Sequence, residues 1–337
     1  LVLETIKTHQ PISRARIARE LSLSKTTVSA ICDELLRSRM VIDLGEKGPE
    51  QGSGRPSKML GFNPLSACGV GIDIHPDHAL AVVTDLDGRV LYREETAMDP
   101  SPESIAALAR KCVEKAGMTQ EKTIGLGVLG WQDYPLAEEM GRLVSFPVEI
   151  NNEANCAALG ERWKGTGARA DDLCYIAIGQ GVGSAIICDG ELIYGAACRA
   201  GEIGYLLGEI DQEMSNRNVL GEPGVMERKI WSTLTSCGLN LEQMFQAYVQ
   251  GKEPARGAVT YFIRDLARVI ANIASMLNPE VVVIGGIVAQ YMKPVLPDIR
   301  AVVGVLTPIP TRVELGSLGP WAAAMGAAFQ GSVHSKL

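Results

Sequence analysis

The sequence of 337 residues contains no apolar run that approaches the length of a membrane span. It also lacks, at its start, the charged stretch followed by an apolar stretch that marks a secretory leader. Hydrophobic residues make up 46% of the chain and charged residues 21%, as in ordinary globular proteins. These features predict a cytoplasmic protein without a membrane partner, and the length predicts two or three domains.

Paired cysteines are missing as well. The chain has eight cysteines, and no two of them form a C-x-x-C pair. Scattered cysteines in a chain of this size are typical of small buried side chains in a reducing compartment. The sequence therefore predicts neither a disulfide framework nor a metal site.

Charge is distributed unevenly along the chain. The first sixty residues carry ten basic and seven acidic side chains, a net charge of +3. The whole chain has a net charge of −7, so the remainder has −10. A basic N-terminal region followed by an acidic remainder favours DNA binding by the N-terminal region only.

Between Pro11 and Arg39 the sequence predicts two helices separated by a short turn. Ser13 and Ser24 can cap them, and Val28, Ile31 and Leu35 form a buried stripe on the second helix. The opposite face, near the N-terminus of that helix, carries short polar or basic side chains, as a recognition helix does in a major groove. The predicted DNA contacts on this helix are Ser24, Lys25, Thr26, Thr27 and Ser29.

Two β-prone runs follow, 41–44 and 58–62, joined by a loop rich in glycine and proline. This pattern predicts a hairpin wing. Arg55 lies at the flexible tip, where it could enter a minor groove, and Lys58 is a further predicted DNA contact. The alternative is a three-helix packing unit whose polar face is merely solvated.

The part of the chain that follows residue 62 contains one strand pattern twice. Residues 69–90 and 174–193 each read as a strand, a tight turn, a second strand and an Asp-Gly hairpin turn. A helical pattern from Phe262 to Leu277 ends at Asn278-Pro279 and precedes a buried strand, 281–284. Two similar α/β halves imply a cleft that holds a small ligand. The run 179–183 joins two strands, so it is not a dinucleotide fingerprint, and a plain tight turn explains it at least as well.

Several motifs in order give the chain a family resemblance. They are the N-terminal head, the strand 71–74, the segment Asn151-Asn152-Glu153-Ala154-Asn155 with its continuation to Glu161, and Gly201-Glu202-Ile203-Gly204-Tyr205. Together they resemble the ROK family (repressors, open reading frames and kinases), and most closely its xylose-repressor branch. The resemblance implies an α/β chain in which a winged helix-turn-helix precedes an actin-like, ribonuclease H-like, two-lobed sugar-kinase fold. The expected domains are residues 1–62, the first lobe 63–150 and the second lobe 151–337, and the C-terminal helix could return to the first lobe.

The resemblance also implies a set of sugar-binding residues. Asn152 and Glu153 match the sugar-binding Asn and the kinase base of the family. Glu202 and Tyr205 match the Glu and His of its Gly-Glu-x-Gly-His stretch, and Glu227 matches a further sugar ligand. Carboxylates and amides can accept from and donate to neighbouring hydroxyl groups, which suits this assignment. Each carboxylate taken alone could equally be a solvated surface acid.

Three departures from the kinase members predict binding without phosphoryl transfer, and hence no enzyme activity. Where kinases continue from Asp-x with Gly-Gly-Thr, Asp73 and Ile74 are followed by His75-Pro76-Asp77. Pro76 has no N–H to offer a phosphate, and Asp77 adds a negative charge. Glu153 replaces the catalytic Asp, and the displaced carboxylate would cost about a hundredfold in rate. No Lys or Arg lies within the candidate phosphate loops.

Two family features are missing. The zinc site uses a histidine and a cysteine cluster, which here become Tyr205 and a stretch, 206–227, without cysteine. We therefore expect no metal and no cofactor. After Leu129 the family has a loop and a strand before a tryptophan, whereas Gly130 and Trp131 follow here at once. Either this protein has lost a segment there, or the sequence omits residues at that point, and we expect residues to be absent before Leu1 as well.

These observations lead to one hypothesis and two alternatives. The hypothesis is a sugar-responsive transcriptional repressor of carbohydrate genes that binds operator DNA as a homodimer, or a dimer of dimers, with xylose as the first candidate effector. One alternative is a ROK-type sugar kinase with a DNA-binding head. The other is a corepressor or partner-binding module whose cleft holds no free sugar.

Overall fold

The computed structural model describes residues 1–47, 56–129, 136–179, 181–207 and 218–333. The chain divides into two compact units. The first comprises residues 1–68 and 84–89, and the second comprises residues 69–83 and 90–337. Within the described residues, no helix is both long and apolar enough to cross a bilayer.

The first unit has the element order of a winged helix-turn-helix. Its elements are α1 (Val2–His9), β1 (Ile12–Ser13), α2 (Arg14–Glu20), α3 (Lys25–Arg37), β2 (Val41–Lys47) and β3 (Ser57–Phe62). The strands form an antiparallel sheet in the order β1-β3-β2. The two predicted caps form, because Ser13 Oγ accepts from the N–H of Arg16 at 3.3 Å and Ser24 Oγ accepts from that of Thr27 at 3.0 Å.

The buried stripe of α3 differs from the predicted one. Val28 is buried as expected, but the second fully buried side chain is Cys32, while Ile31 and Leu35 are only half-buried. Val28 and Cys32 are four residues apart and so lie one above the other on the helix. The face that packs inward is therefore rotated slightly from the one that the larger side chains indicate.

The second unit contains two sheets with the same strand order. The first has β4 (Cys68–Ile74), β5 (His78–Asp85), β6 (Val90–Ala97), β7 (Thr123–Leu129) and β8 (Val148–Asn151). The second has β9 (Leu173–Ile178), β10 (Val182–Cys188), β11 (Glu191–Leu192), β12 (Val281–Gly285) and β13 (Arg312–Leu315). Their orders are β6-β5-β4-β7-β8 and β11-β10-β9-β12-β13. The predicted repeat of a strand–turn–strand unit is confirmed, and the other strands of each sheet follow in the same order.

The sequence signals that delimit these elements act as expected. Asp189 and Gly190 both have positive φ, 50° and 78°, as a two-residue hairpin turn requires. The predicted long helix is observed, and Asn278 ends it in the left-handed conformation. The helices of this unit are α4 (Pro102–Lys115), α5 (Leu136–Leu143), α6 (Glu153–Lys164), α7 (Val225–Thr235), α8 (Leu241–Val249), α9 (Ala255–Leu277), α10 (Leu296–Leu306) and α11 (Ala322–Val333).

Two helices, α6 and α11, lie between the sheets. α6 packs on β9 and β10, and the C-terminal α11 packs on β7 and β8 of the first sheet. The helices meet through glycine: a Cβ added at Gly326 would lie 1.6 Å from the carbonyl oxygen of Cys156, and one at Gly160 would lie 2.2 Å from that of Ala322. This close approach of backbones is possible only without side chains. The start of α6 is thereby fixed against both halves of the unit.

Candidate ligand site at the start of α6

The turn that follows β4 is closed by its own side chains. Asp73 is buried near the end of β4, and Nε2 of His75 lies 3.3 Å from its Oδ2. Within the described part of the chain, that Nε2 atom is buried and makes no aligned hydrogen bond. The His75 ring stacks on His78 with centroids 4.4 Å apart, and Nδ1 of His78 lies 2.7 Å from Oδ1 of Asp77. Two of the residues that replace a Gly-Gly-Thr sequence, His75 and Asp77, are therefore engaged by the flanking Asp73 and His78.

The electrostatics of this turn follow from the packing. Contact with the Asp73 carboxylate raises the pKa of His75 above its ordinary value of 6.5, against the opposing effect of burial. Glu153 and Asp77 add to the rise. The hydrogen bond from His78 lowers the pKa of Asp77. A protonated His75 is thus favoured in a place where a phosphate-binding turn would offer backbone N–H groups.

Asn152 and Glu153 open α6. The Asn152 side chain caps the helix, since its Oδ1 accepts from the N–H of Asn155 at 2.7 Å. Its amide nitrogen is the group left for a ligand. Glu153 is the first helical residue and is open to solvent, yet burial raises the pKa of its carboxyl group, and the charge of Asp73 adds to this rise. Solvent access combined with desolvation is expected of a carboxylate that lines a cleft.

The side chain of Glu227 lies close to three glycines, each from a different segment. A Cβ at Gly181 would lie 3.3 Å from its Oε1, and one at Gly204 would lie 3.3 Å from its Oε2. The N–H of Gly224 donates to Oε2 at 3.4 Å. Glu202 is exposed two residues before Gly204. The structure therefore brings Glu202 and Glu227 into one neighbourhood.

That neighbourhood adjoins the start of α6. A Cβ added at Gly183, on β10, would lie 3.9 Å from the Cβ of Ala154, the second residue of α6. Gly183 is two residues from Gly181, which faces Glu227. The predicted sugar ligands thus lie around the meeting point of α6, β10 and the beginning of α7.

Tyr205 is hydrogen-bonded to the segment that leads into α7. Its hydroxyl accepts from the N–H of Gly221 at 3.1 Å, and its carbonyl accepts from Nδ2 of Asn218 at 2.8 Å. Oδ1 of Asn218 accepts in turn from the N–H of Val225 at 2.8 Å. These bonds hold the segment that leads into α7, and they leave the Tyr205 hydroxyl proton for a ligand. Among the described residues no group of three or more His, Cys, Asp or Glu side chains could hold a metal, while 208–217 lie outside them.

The predicted DNA contacts divide into two groups. Ser24, Lys25, Thr26 and Thr27 are exposed at the N-terminus of α3, and Ser29 is half-buried. Oγ of Ser24 lies 2.7 Å from the hydroxyl of Thr26 and 2.8 Å from that of Thr27. On the wing, Nζ of Lys58 is exposed and lies 3.3 Å from Oδ2 of Asp43. Arg55 lies outside the described residues, as do Gly130 and Trp131.

Sequence reasoning missed the polar side chains beneath α6. Asn151, the last residue of β8, contacts Asn155, Tyr194 and Gln330 through its side-chain amide. Asn151 itself stands beside the predicted ligand Asn152, which was a local signal. Gln330 is 179 positions away, so only the packing of α11 could reveal it.

The comparisons with known proteins agree with this architecture. A family profile described as the ROK family matches residues 69–329. The xylose repressor of Caldicellulosiruptor bescii is 29% identical over 347 residues, covering 90% of this chain and 86% of that protein. A glucokinase of Halalkalibacterium halodurans is 31% identical over 192 residues, covering 51% of this chain and 58% of that protein.

Among solved structures, a ROK family transcriptional regulator, a homologue of the E. coli MLC protein, superimposes with a TM-score of 0.79. The match covers 97% of this chain and 93% of that one at 19% identity, so it concerns the fold. It extends over the winged unit as well as the two-sheet unit. Since the profile match spans well over half of the residues, the chain belongs to the ROK family.

Proposed function

We propose that this protein is a sugar-responsive, DNA-binding transcriptional repressor of carbohydrate metabolism genes. The observation that carries the proposal is the exposed polar face at the N-terminus of α3, in a winged unit that precedes a ROK domain. A sugar kinase has no need of such a face. The similarity to a xylose repressor over most of both chains supports the same reading and makes xylose the first candidate effector.

The α3 face suits DNA in its chemistry. Lys25 supplies a positive charge, Thr26 and Thr27 supply short hydroxyl groups, and the helix N-terminus adds unpaired N–H groups and a favourable dipole for phosphate. Ser24 and Ser29 complete the row. Lys58 can leave Asp43 for a phosphate at little cost, because exposed ion pairs are worth only about 0–1 kcal/mol. We propose the same role for Arg55, which lies outside the described residues.

The ligand site suits a small polyhydroxyl compound. Asn152 offers an amide N–H, and Glu153, Glu202 and Glu227 offer carboxylates that can each accept from two adjacent hydroxyl groups. Tyr205 retains a hydroxyl proton. A sugar in this place would contact both α6 and the segments of the second sheet, so its binding would favour one arrangement of the sheets over another. In a homodimer that difference would alter the fit of two heads to an inverted repeat.

Phosphoryl transfer is not part of the proposal. The β4–β5 turn gives a nucleotide no cradle, because Pro76 lacks an N–H, Asp77 is acidic and His75 covers the Asp73 carboxylate. The carboxylate of Glu153 is also displaced by one methylene from that of an aspartate. The second candidate function, a sugar kinase with a DNA-binding head, draws on the similarity to a glucokinase over half of the chain.

Operator binding and turnover distinguish the candidates. DNA selected from a random library with the full-length protein supplies an operator, and fluorescence anisotropy then measures its affinity with and without a panel of pentoses and hexoses. We expect at least a fivefold change with one sugar, and a K25A/T27A double variant should lose operator binding while keeping its melting temperature. Operator affinity that no sugar changes would contradict the effector model. ATP-dependent sugar phosphorylation faster than about 1 per second would establish the kinase instead.

A further inference from the structure

The side-chain amide of Asn151 uses every hydrogen-bonding position that it has. Its Oδ1 accepts from the N–H of Asn152 and from Nδ2 of Asn155, each at 2.9 Å. Its Nδ2 donates to Oε1 of Gln330 at 3.0 Å and to the hydroxyl oxygen of Tyr194 at 3.3 Å. An amide offers two N–H groups and two lone pairs, so the orientation of this one is fully determined.

The four partners come from different parts of the unit. Asn152 and Asn155 belong to the start of α6, where the proposed ligand contacts lie, and Gln330 belongs to α11. Tyr194 lies in the segment between β11 and Glu202. This segment is tied to its own sheet, since the N–H of Ile193 donates to the carbonyl of Ile186 at 2.8 Å. One amide of the first sheet therefore joins both central helices to the chain that leads into Glu202.

Burial makes the partners unequal. Asn151, Asn155 and Gln330 are 9%, 5% and 6% exposed, whereas Tyr194 is 41% exposed. A buried amide that loses a partner bears the full desolvation cost, so the bonds to Asn155 and Gln330 resist change. The half-exposed Tyr194 hydroxyl can exchange its bond for water. The bond from Asn151 to Tyr194 is also the longest of the four, so we identify it as the one that water can replace.

We propose that Asn151 is a positioning residue for the ligand site and that Tyr194 is its exchangeable partner across the two sheets. Asn151 holds the N-terminal turn of α6, and with it the amide of Asn152 and the carboxylate of Glu153, in the orientation that a ligand meets. Tyr194 makes this orientation depend on the segment that carries Glu202. The inference rests on the proposed sugar-binding function, since it concerns the same site.

Tyr194→Phe tests the proposal, because it removes one oxygen atom from a half-exposed ring and should leave the fold intact. Tyr248→Phe is the matched control: the Tyr248 hydroxyl donates to Oδ2 of Asp298 at 2.8 Å, between α8 and α10. Isothermal titration of the full chain with D-xylose, D-glucose and the remaining sugars of the panel gives Kd for wild type and both variants. Differential scanning calorimetry without sugar gives the melting temperatures.

We expect Y194F to weaken sugar binding about three- to tenfold, the range for one hydrogen bond, while Y248F keeps the wild-type Kd. The melting temperature of Y194F should fall no further than that of Y248F. A purely structural role for Tyr194 would produce the opposite split, a lower melting temperature with an unchanged Kd, and would overturn the inference.

A second variant guards against an uninformative result. Gln330→Met removes the acceptor of the buried bond and should weaken sugar binding more than Y194F does, with a measurable loss of stability. Wild-type affinity in both Y194F and Q330M would overturn the inference and leave the proposed function standing. Wild-type protein that binds none of the sugars would overturn the proposed function, and the inference with it.

Discussion

The two turns that follow β4 and β9 occupy the same place in the two sheets and have opposite character. The first, His75-Pro76-Asp77, is filled by stacked rings and by acid–histidine contacts. At the second, Gly179 and Gly181 carry no side chains, and the N–H of Gly179 donates to the carbonyl of Gly181 at 2.9 Å. Gly181 faces the carboxylate of Glu227, and a Cβ added at Gly181 would make a close contact of 3.3 Å with its Oε1.

The contrast shows how one duplicated topology can separate two tasks. Gly201 and Gly204 let the 201–205 segment approach β10, because a Cβ at these positions would lie 2.3 Å and 2.9 Å from the carbonyl oxygens of Ser184 and Val182. Glu227 packs against Gly181 and Gly204 in the same place, which is the proposed ligand side of the site. Side chains fill the first turn, and Pro76 there has no backbone N–H to offer a phosphate. The topology supplies both positions, and the side chains decide which of them remains open.

The largest effect is expected from adding a side chain at Gly224, which packs against the 201–205 segment. A Cβ at Gly224 would lie 2.1 Å from the carbonyl oxygen of Gly204 and 2.4 Å from its carbon, so backbone must move. Gly224→Ala should therefore reduce the free energy of unfolding by about 3 kcal/mol and abolish sugar binding, because the contact that holds Glu227 against the 201–205 segment is lost. Chemical denaturation and calorimetric titration measure the two effects.

Gly141→Ala is the control for this substitution. Gly141 lies within α5, and a Cβ there would meet nothing within 4 Å. Alanine in an exposed helix should stabilise the protein by about 0.5–1 kcal/mol and leave sugar affinity unchanged. If G224A unfolded no more easily than G141A, the close approach of Gly204 and Gly224 would not be what builds the site.

An intermediate effect is expected from removing the side chains that fill the turn after β4. The triple variant His75→Gly, Pro76→Gly, Asp77→Thr removes the rings and the acid and restores a backbone donor at position 76. Since a hydrogen bond to a charged group is worth about 1.5–3 kcal/mol, Mg·ATP affinity should rise at least tenfold over wild type. Phosphorylation should stay slow because Glu153 is retained. Equal Mg·ATP affinity in the triple variant and wild type would show that the first turn is not what excludes the nucleotide.

These regions also show what sequence can and cannot reveal. The repeated hairpins follow from strand–turn–strand patterns with Asp-Gly turns, and Ser13, Ser24 and Asn278 mark helix ends by local chemistry. Local signals of this kind operate within a few residues, so a single sequence contains them. The family motifs extend the same reasoning to the neighbourhood of Glu202 and Glu227.

Contacts between distant residues could not be read in the same way. Asn151 contacts Gln330 only because α11 returns between the two sheets. Lys58 contacts Asp43 only because of the register in which β2 and β3 pair. The same holds for Asn218, whose side chain ties Tyr205 to the start of α7. Nothing in the residue types alone selects these partners over others.

The smallest effect is expected from pH. The groups that face His75 are the carboxylates of Asp73, Asp77 and Glu153 and the ring of His78, and Asp73 contributes most to the raised pKa of His75. A histidine whose pKa is higher in the folded than in the unfolded protein stabilises the fold fully below its ordinary value of 6.5. This contribution is lost as pH rises through the folded-state pKa.

Glu153 acts in the same direction. Its pKa is raised from an ordinary value of 4.5, so ionisation is less favourable in the folded protein and stability falls as pH rises above that value. Wild-type protein should therefore lose a few degrees of melting temperature between pH 6 and pH 8, in addition to any loss that the rest of the chain contributes. His75→Gln should remove most of this excess over the interval, and Glu153→Gln should remove the part that begins at lower pH. Melting curves at half-unit steps of pH measure both, and a wild-type profile parallel to that of H75Q would mean that the first turn is filled but not charged.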